Sequence, residues 1–143
     1  MEVLVWLREN GFACDTHAFD RAATKGHLHV LRWLLANRCP YDGARVCANA
    51  AATGSLQVLK WARQAGFNWS EQACMQAAEW GHLEVLQWLR ASGCPWDETE
   101  MRALTQVEPP WDTWPAHIVL QESEYLDPQV ICDVQEWIRA QLV

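Results

Sequence analysis

The segment Gly81–Leu89, with the sequence GHLEVLQWL, decides the fold because a similar segment occurs elsewhere in the chain. Gly26–Leu35 reads GHLHVLRWLL, and the motif Val-Leu-x-Trp within both segments occurs four times, at steps of 27, 28 and 27 residues. A fixed period of this length indicates a repeat protein, in which each unit packs on its neighbours. The 143-residue chain is therefore expected to be a linear array of similar units.

Each unit predicts two helices. Ser70 is a good N-cap for the first helix, and Gly81 ends that helix in a tight turn. Leu83–Leu89 carries the apolar stripe of the second helix, which Gly93 stops. Small side chains share one face of the first helix: Ala73, Cys74, Ala77 and Ala78. Because neither helix can bury its face alone, the units must stack into an all-α solenoid. The extra residue of the 28-residue unit is expected near Gly43, absorbed in a turn.

The two GH segments, together with the Ala-Ala pair before each glycine, resemble the ankyrin repeat from its inter-helix glycine into its outer helix. The resemblance implies an ankyrin-like α-solenoid of stacked helix-turn-helix units, each with an inner and an outer helix. The units depart from the common pattern of about 33 residues because they are shorter and lack the Thr-Pro-Leu-His tetrapeptide. They are similar to the short ankyrin units of giant DNA viruses and protists, and no long β-hairpin finger is expected.

The repeats are expected to occupy residues 1–104, with units near 3–29, 30–57, 58–84 and 85–104. Residues 105–143 are expected to form an insertion loop and a divergent C-terminal capping helix. Val134–Ala140 resembles Val85–Ala91, and Asp127 followed by Pro128 is a good helix start. The insertion lies roughly between Gln106 and Leu126, and it either has a functional role or closes the last unit.

At the other end of the chain, Glu2–Glu9 matches an outer helix that no inner helix precedes. Such a half-unit leaves an apolar face without a neighbouring helix to cover it. It indicates a fragment of a longer array, a truncated reading frame or an end covered by a partner, and self-association through this incomplete unit is a possible outcome.

Composition restricts the function. A net charge of −7, from 18 acidic and 11 basic residues without a basic cluster, argues against nucleic acid as a partner. No apolar run is long enough for a bilayer, and Met1–Trp6 lacks a secretory leader, so no membrane contact and an intracellular, cytoplasmic or nuclear location are expected. Several of the six cysteines recur at equal repeat positions, which predicts packed free thiols rather than disulfides.

No catalytic constellation, metal-ligand spacing or phosphate loop is present, so no enzyme activity, metal or cofactor is expected. A metal-dependent hydrolase that uses His27, His29 and His117 is the enzymatic alternative. Against it, His27 and His82 hold one repeat position, where an imidazole can bond local backbone.

The resemblance implies binding through the concave face, which the inner helices form. Residues beside the buried alanines differ between units, and six of them are the predicted partner contacts: Arg21, Lys25, Asn49, Gln76, Glu79 and Trp80. Trp80 is expected to be exposed, whereas Tyr41, Trp69 and Trp96 share a connector position and are expected to form a structural aromatic ladder. The predicted function is a non-catalytic scaffold or adaptor for a protein partner. The alternative is a structural or truncated array fragment with no partner of its own.

Overall fold

The computed structural model describes residues 15–106 and 128–143. These residues form α-helices and contain no β-strand, which confirms the all-α prediction. The helices are α1 (Thr16–Thr24), α2 (Leu28–Ala36), α3 (Gly43–Ala52), α4 (Leu56–Gln64), α5 (Glu71–Glu79), α6 (Leu83–Ala91), α7 (Glu98–Gln106) and α8 (Pro128–Gln141). The predicted helix Glu2–Glu9, with its proposed self-association, and the insertion beyond Gln106 lie outside the described residues.

The helices are arranged as stacked pairs. The inner helices α1, α3, α5 and α7 pack successively on one another, and each of α1, α3 and α5 also packs on the outer helix that follows it. The outer helix α2 contacts α4 in the same direction, and α8 contacts both α7 and α6. This translational stacking of helix-turn-helix units confirms the predicted solenoid.

The core follows the repeat. The inner helices α1, α3 and α5 each bury an alanine pair, which lets the next inner helix approach closely: Ala22 and Ala23, Ala50 and Ala51, Ala77 and Ala78. The outer helices contribute the fully buried leucines Leu31, Leu59 and Leu86. Trp33, Trp61 and Trp88 are partly buried and pack against this core at its edge. Among the described residues, no helix is long and apolar enough to span a bilayer.

The connector aromatics pack on other aromatic rings, but the predicted ladder is wrong, because they pair with other repeat positions rather than with one another. Trp69 meets Trp88 edge-on at 5.8 Å, and Trp96 meets Trp137 in the same way at 6.0 Å. Tyr41 instead stacks on Phe67 at 4.4 Å. Equal positions lie one repeat apart, so the tryptophan of the following outer helix is closer than the next connector aromatic. The guanidinium groups of two outer-helix arginines lie over these rings, Arg63 over Trp69 and Arg90 over Trp96.

The extra residue of the second unit lengthens a helix. Helix α3 has 10 residues, whereas α1 and α5 have 9, and Gly43 is its first residue rather than part of a preceding turn. A Cβ at Gly43 would lie 3.2 Å from the backbone nitrogen of Asn68. The absence of a side chain therefore lets the longer helix fit against the next connector.

The end of α7 differs from the ends of the other inner helices. In the third unit, the turn caps the last carbonyls of α5, because the His82 amide donates to Ala77 O at 2.8 Å and the Gly81 amide donates to Ala78 O at 3.2 Å. Leu104 and Thr105 hold the corresponding positions in α7. Their carbonyls accept from two side chains of α8: Gln135 Nε2 donates to Leu104 O at 2.9 Å, and Arg139 Nη2 donates to Thr105 O at 2.7 Å. Helix α8 thus contributes side-chain donors to two of the last carbonyls of α7.

Candidate partner-binding face

The inner helices α1 and α3 position the polar residues of a cleft that lies between them. Asp15 is the N-cap of α1, where its Oδ1 accepts from the Ala18 amide at 3.0 Å, and Asp42 caps α3 by accepting from the Ala44 amide at 3.1 Å. These caps set where the two helices begin and therefore which residues face each other across the stack. Between the helices lies a cleft of about 520 Å³, lined by Asp15, His17, Ala18, Asp20, Arg21, Arg45 and Asn49.

An ion pair joins the two walls of this cleft. Arg45 on α3 places Nη2 3.0 Å from Asp20 Oδ2 on α1. The Asp20 side chain is 13% exposed and that of Arg45 is 53% exposed, so the carboxylate is largely covered while the guanidinium still reaches solvent. His17 Nδ1 lies 4.0 Å from the same Asp20 oxygen. The Asp20 carboxylate is therefore already paired with a cation.

The structure brings some of the six predicted contact residues together. Arg21 is exposed and Asn49 is half-buried, and both line the cleft. Gln76 and Glu79 lie on α5, where Gln76 Nε2 donates to Glu79 Oε2 at 3.0 Å. Lys25 is exposed at the end of α1. We use the name inner-helix face for this set of polar residues of the inner helices: Arg21, Lys25, Asn49, Gln76 and Glu79, with Asp20 and Arg45.

Trp80 corrects one expectation. It is the C-cap residue of α5 and is half-buried rather than exposed. The prediction compared it with Lys25 and Thr53, both of which are exposed. An indole at the same position is large enough to cover itself against neighbouring atoms, and Trp80 does make a further contact.

Asp20, Arg45 and His17 belong to the cleft but escaped the sequence reasoning. Arg45 precedes Asn49 by four residues, and His17 precedes Arg21 by four residues, so each lies one turn away on the same helix face. Residues one turn before the predicted positions also differ from unit to unit, and that difference could have identified Arg45 and His17 in the sequence. The Asp20–Arg45 contact joins two different repeat positions, which a comparison of equal positions does not reveal.

The histidines of the repeats differ in their surroundings. His82 Nε2 lies 3.0 Å from the carbonyl oxygen of Ala52 in the preceding unit, so its bond links two units rather than local backbone. The rings of His27 and His29 are 5.7 Å apart, and both residues are exposed. Across the ranges 15–106 and 128–143, no group of three or more His, Cys, Asp or Glu side chains is placed to hold a metal ion. His117 lies outside these ranges.

The cysteines do not all follow the free-thiol prediction. Cys39 is disulfide-bonded, so the prediction is wrong there. Cys47, Cys74 and Cys94 are buried free thiols, and Cys132 is an exposed one. The prediction weighed only cysteines at equal repeat positions, whereas a disulfide can join different ones.

The buried thiols also influence one another. Burial, with a smaller effect of Cys94, raises the pKa of Cys47 to about 12. A hydrogen bond from Cys94 lowers the pKa of Cys74, and the same contact together with burial raises the pKa of Cys94. Cys94 Sγ also lies 3.5 Å from the Ser70 carbonyl oxygen. The Ser70 hydroxyl, expected to cap α5, makes no capping bond although Ser70 occupies the N-cap position.

Comparison with known families agrees with the stacking. A family profile described as ankyrin repeats (many copies) matches residues 19–63 and 46–90. The two matches together cover residues 19–90, just over half of the 143-residue chain. A search of curated proteins found no significant match. With its stacked helix pairs and inner-helix cleft, the chain belongs to the ankyrin-repeat family.

Proposed function

We propose that this protein is a non-catalytic interaction scaffold or adaptor that binds a protein partner on the inner-helix face. Ankyrin repeats are in general protein–protein interaction modules. The observation that supports this face is the open cleft of about 520 Å³ between α1 and α3, which contains Arg21 and Asn49, two of the residues that differ from unit to unit. Residues that vary on a constant framework are suited to recognition.

The chemistry of the cleft favours binding over catalysis. Asp20 is held in an ion pair, and one oxygen of Asp15 caps α1. A nucleophile needs a general base beside it, and a base needs a reacting proton within reach. The residues that line the cleft include no serine, threonine, cysteine or lysine nucleophile, and their exposed side chains, such as those of Arg21 and His17, are suited to binding polar groups.

Affinity capture tests the assignment. The tagged chain is used as bait in a lysate of cells that produce it, and captured proteins are quantified by mass spectrometry. Arg21→Ala and Asn49→Ala are expected to reduce the recovery of a partner several-fold. Arg32→Ala and Lys60→Ala, which remove exposed cations from the outer helices α2 and α4, are expected to leave it unchanged.

Circular dichroism verifies that all four variants remain helical. Equal recovery with the inner-helix and outer-helix variants would reject the inner-helix face. Recovery of no partner by the folded wild-type chain would favour the alternative, an array fragment without a partner of its own.

A further inference from the structure

The arginines of this chain differ in whether their guanidinium groups contact other residues. Most arginines in the described residues make contacts that serve the fold: Arg45 with Asp20, Arg63 and Arg90 over tryptophan rings, and Arg102 and Arg139 with backbone carbonyls. Arg21 makes no such contact within residues 15–106 and 128–143, although it lines the cleft and is exposed. Lys25 follows it by four residues, one turn further along the same helix face, and is also exposed.

Neither acid of the cleft contacts the Arg21 guanidinium among the described residues. One oxygen of Asp15 accepts from the Ala18 amide at 3.0 Å, and Asp20 is 13% exposed and paired with Arg45 at 3.0 Å. Of the two arginines that line the cleft, Arg45 is therefore held in an ion pair, and the exposed guanidinium of Arg21 is the one left to meet a group of a partner.

We propose that the Arg21 end of the cleft binds an Asp or Glu carboxylate on an extended segment of the protein partner. The inference rests on the proposed function and specifies the chemistry of that partner. A guanidinium offers its donors in a planar fork that fits both oxygens of a carboxylate. The Asn49 amide on the opposite wall is suited to the backbone of the same segment. A cleft of about 520 Å³ has room for several residues, which favours a chain segment over a lone ion.

Nuclear magnetic resonance titration of the ¹⁵N-labelled full chain tests this. The probe is the blocked peptide acetyl-Ser-Gly-Glu-Glu-Gly-Ser-amide, and its Gln-Gln counterpart is the matched neutral control. Inorganic phosphate at equal ionic strength is the third arm. The Glu-Glu peptide is expected to shift the Arg21 Nε–Hε and Asn49 side-chain resonances, and the Gln-Gln peptide is not. Arg21→Gln is expected to weaken the Glu-Glu peptide roughly tenfold, as loss of a charge-assisted hydrogen bond does. Arg32→Gln, which removes the same charge from α2, is expected to leave affinity unchanged.

Several results would overturn the proposal. Equal weakening by Arg32→Gln would show a non-specific charge effect. Phosphate that produces the same shifts with an affinity equal to that of the peptide would show a small-anion site rather than a site for a protein segment. Shifts on the inner-helix face from both peptides would reject the carboxylate and leave the proposed function standing. Shifts confined to outer helices would reject both.

Discussion

The imidazole of His82 shows how a single side chain can join two units. Its Nε2 lies 3.0 Å from the Ala52 carbonyl oxygen, 30 residues earlier in the chain. His27 holds the same repeat position in an exposed setting. The pair therefore offers an internal comparison, in which chemistry and repeat position are constant and only the contact differs.

His82→Ala is expected to lower the free energy of unfolding by about 1–2 kcal/mol, because the part-buried carbonyl loses its side-chain partner. His27→Ala is expected to change it by less than about 0.5 kcal/mol, as exposed substitutions usually do. Urea unfolding followed by far-ultraviolet circular dichroism gives both values. Equal losses in the two variants would show that the inter-unit bond does not stabilise the array.

The connectors contain a second comparison at one repeat position. Arg38 has a φ of 56°, where the following units have Gly66 at 82° and Gly93 at 79°. Left-handed backbone costs a residue with a Cβ about 1–2 kcal/mol, whereas glycine adopts it freely. Arg38→Gly is expected to raise the melting temperature, and Gly66→Ala to lower it, although a Cβ at Gly66 meets no atom within 4 Å. A fall in the melting temperature of Arg38→Gly would contradict the assignment of strain.

Cys47 predicts an alkaline limit to stability. Its folded pKa is raised to about 12 by burial, so the folded chain retains a proton that the unfolded chain releases above about pH 8.5. The free energy of unfolding should therefore fall as pH rises above about 8.5 towards the folded pKa of about 12. Urea unfolding at pH 7 and pH 10 should show a smaller fall in Cys47→Ala than in wild type. An identical fall in both would mean that Cys47 does not cause it.

At the scale of the helix, α8 stabilises the end of its neighbour. In the earlier outer helices, the position of Gln135 is taken by buried leucines such as Leu86. A buried glutamine is suited to this unit because its side-chain amide donates to the Leu104 carbonyl at 2.9 Å.

Gln135→Leu restores the residue of the earlier units, and a hydrophobicity argument would predict stabilisation. We expect instead a loss of about 1–3 kcal/mol, because a carbonyl is left without its side-chain donor. The control is Gln141→Leu, an exposed position on the same helix. Urea unfolding distinguishes the two arguments, and a more stable Gln135→Leu variant would contradict ours.

Element boundaries were predictable where local chemistry sets them. The glycine at 81 and the proline at 128 mark helix ends and starts by backbone restriction alone, and the structure places helix boundaries beside them. The end of α7 was not predictable, because it depends on Gln135 and Arg139, which are 31 and 34 residues from the carbonyls that they cap. Trp80 was misjudged for a related reason, since repeat position fixes where a residue starts but not which atoms a larger side chain reaches.

At the scale of the whole molecule, stacking determines which parts of the site could be foreseen. The period predicted that Arg21 and Asn49 would occupy equivalent positions on consecutive inner helices, and both line one cleft. The Arg45–Asp20 ion pair that shapes this cleft joins positions offset within the unit, so its recognition required the actual crossing of α1 and α3. Periodicity therefore predicts which residues share a face, whereas the ion pair between neighbouring helices is visible only in the structure.

The face that a partner occupies is the central claim, and site-specific photo-crosslinking measures it directly. His17 on α1 and His29 on α2 are both exposed, and each is replaced in turn by p-benzoylphenylalanine in the full-length chain. After irradiation with the captured partner, we expect a discrete crosslinked product from position 17 and none from position 29. A product from position 29 alone, or equal yields from both positions, would contradict binding on the inner-helix face.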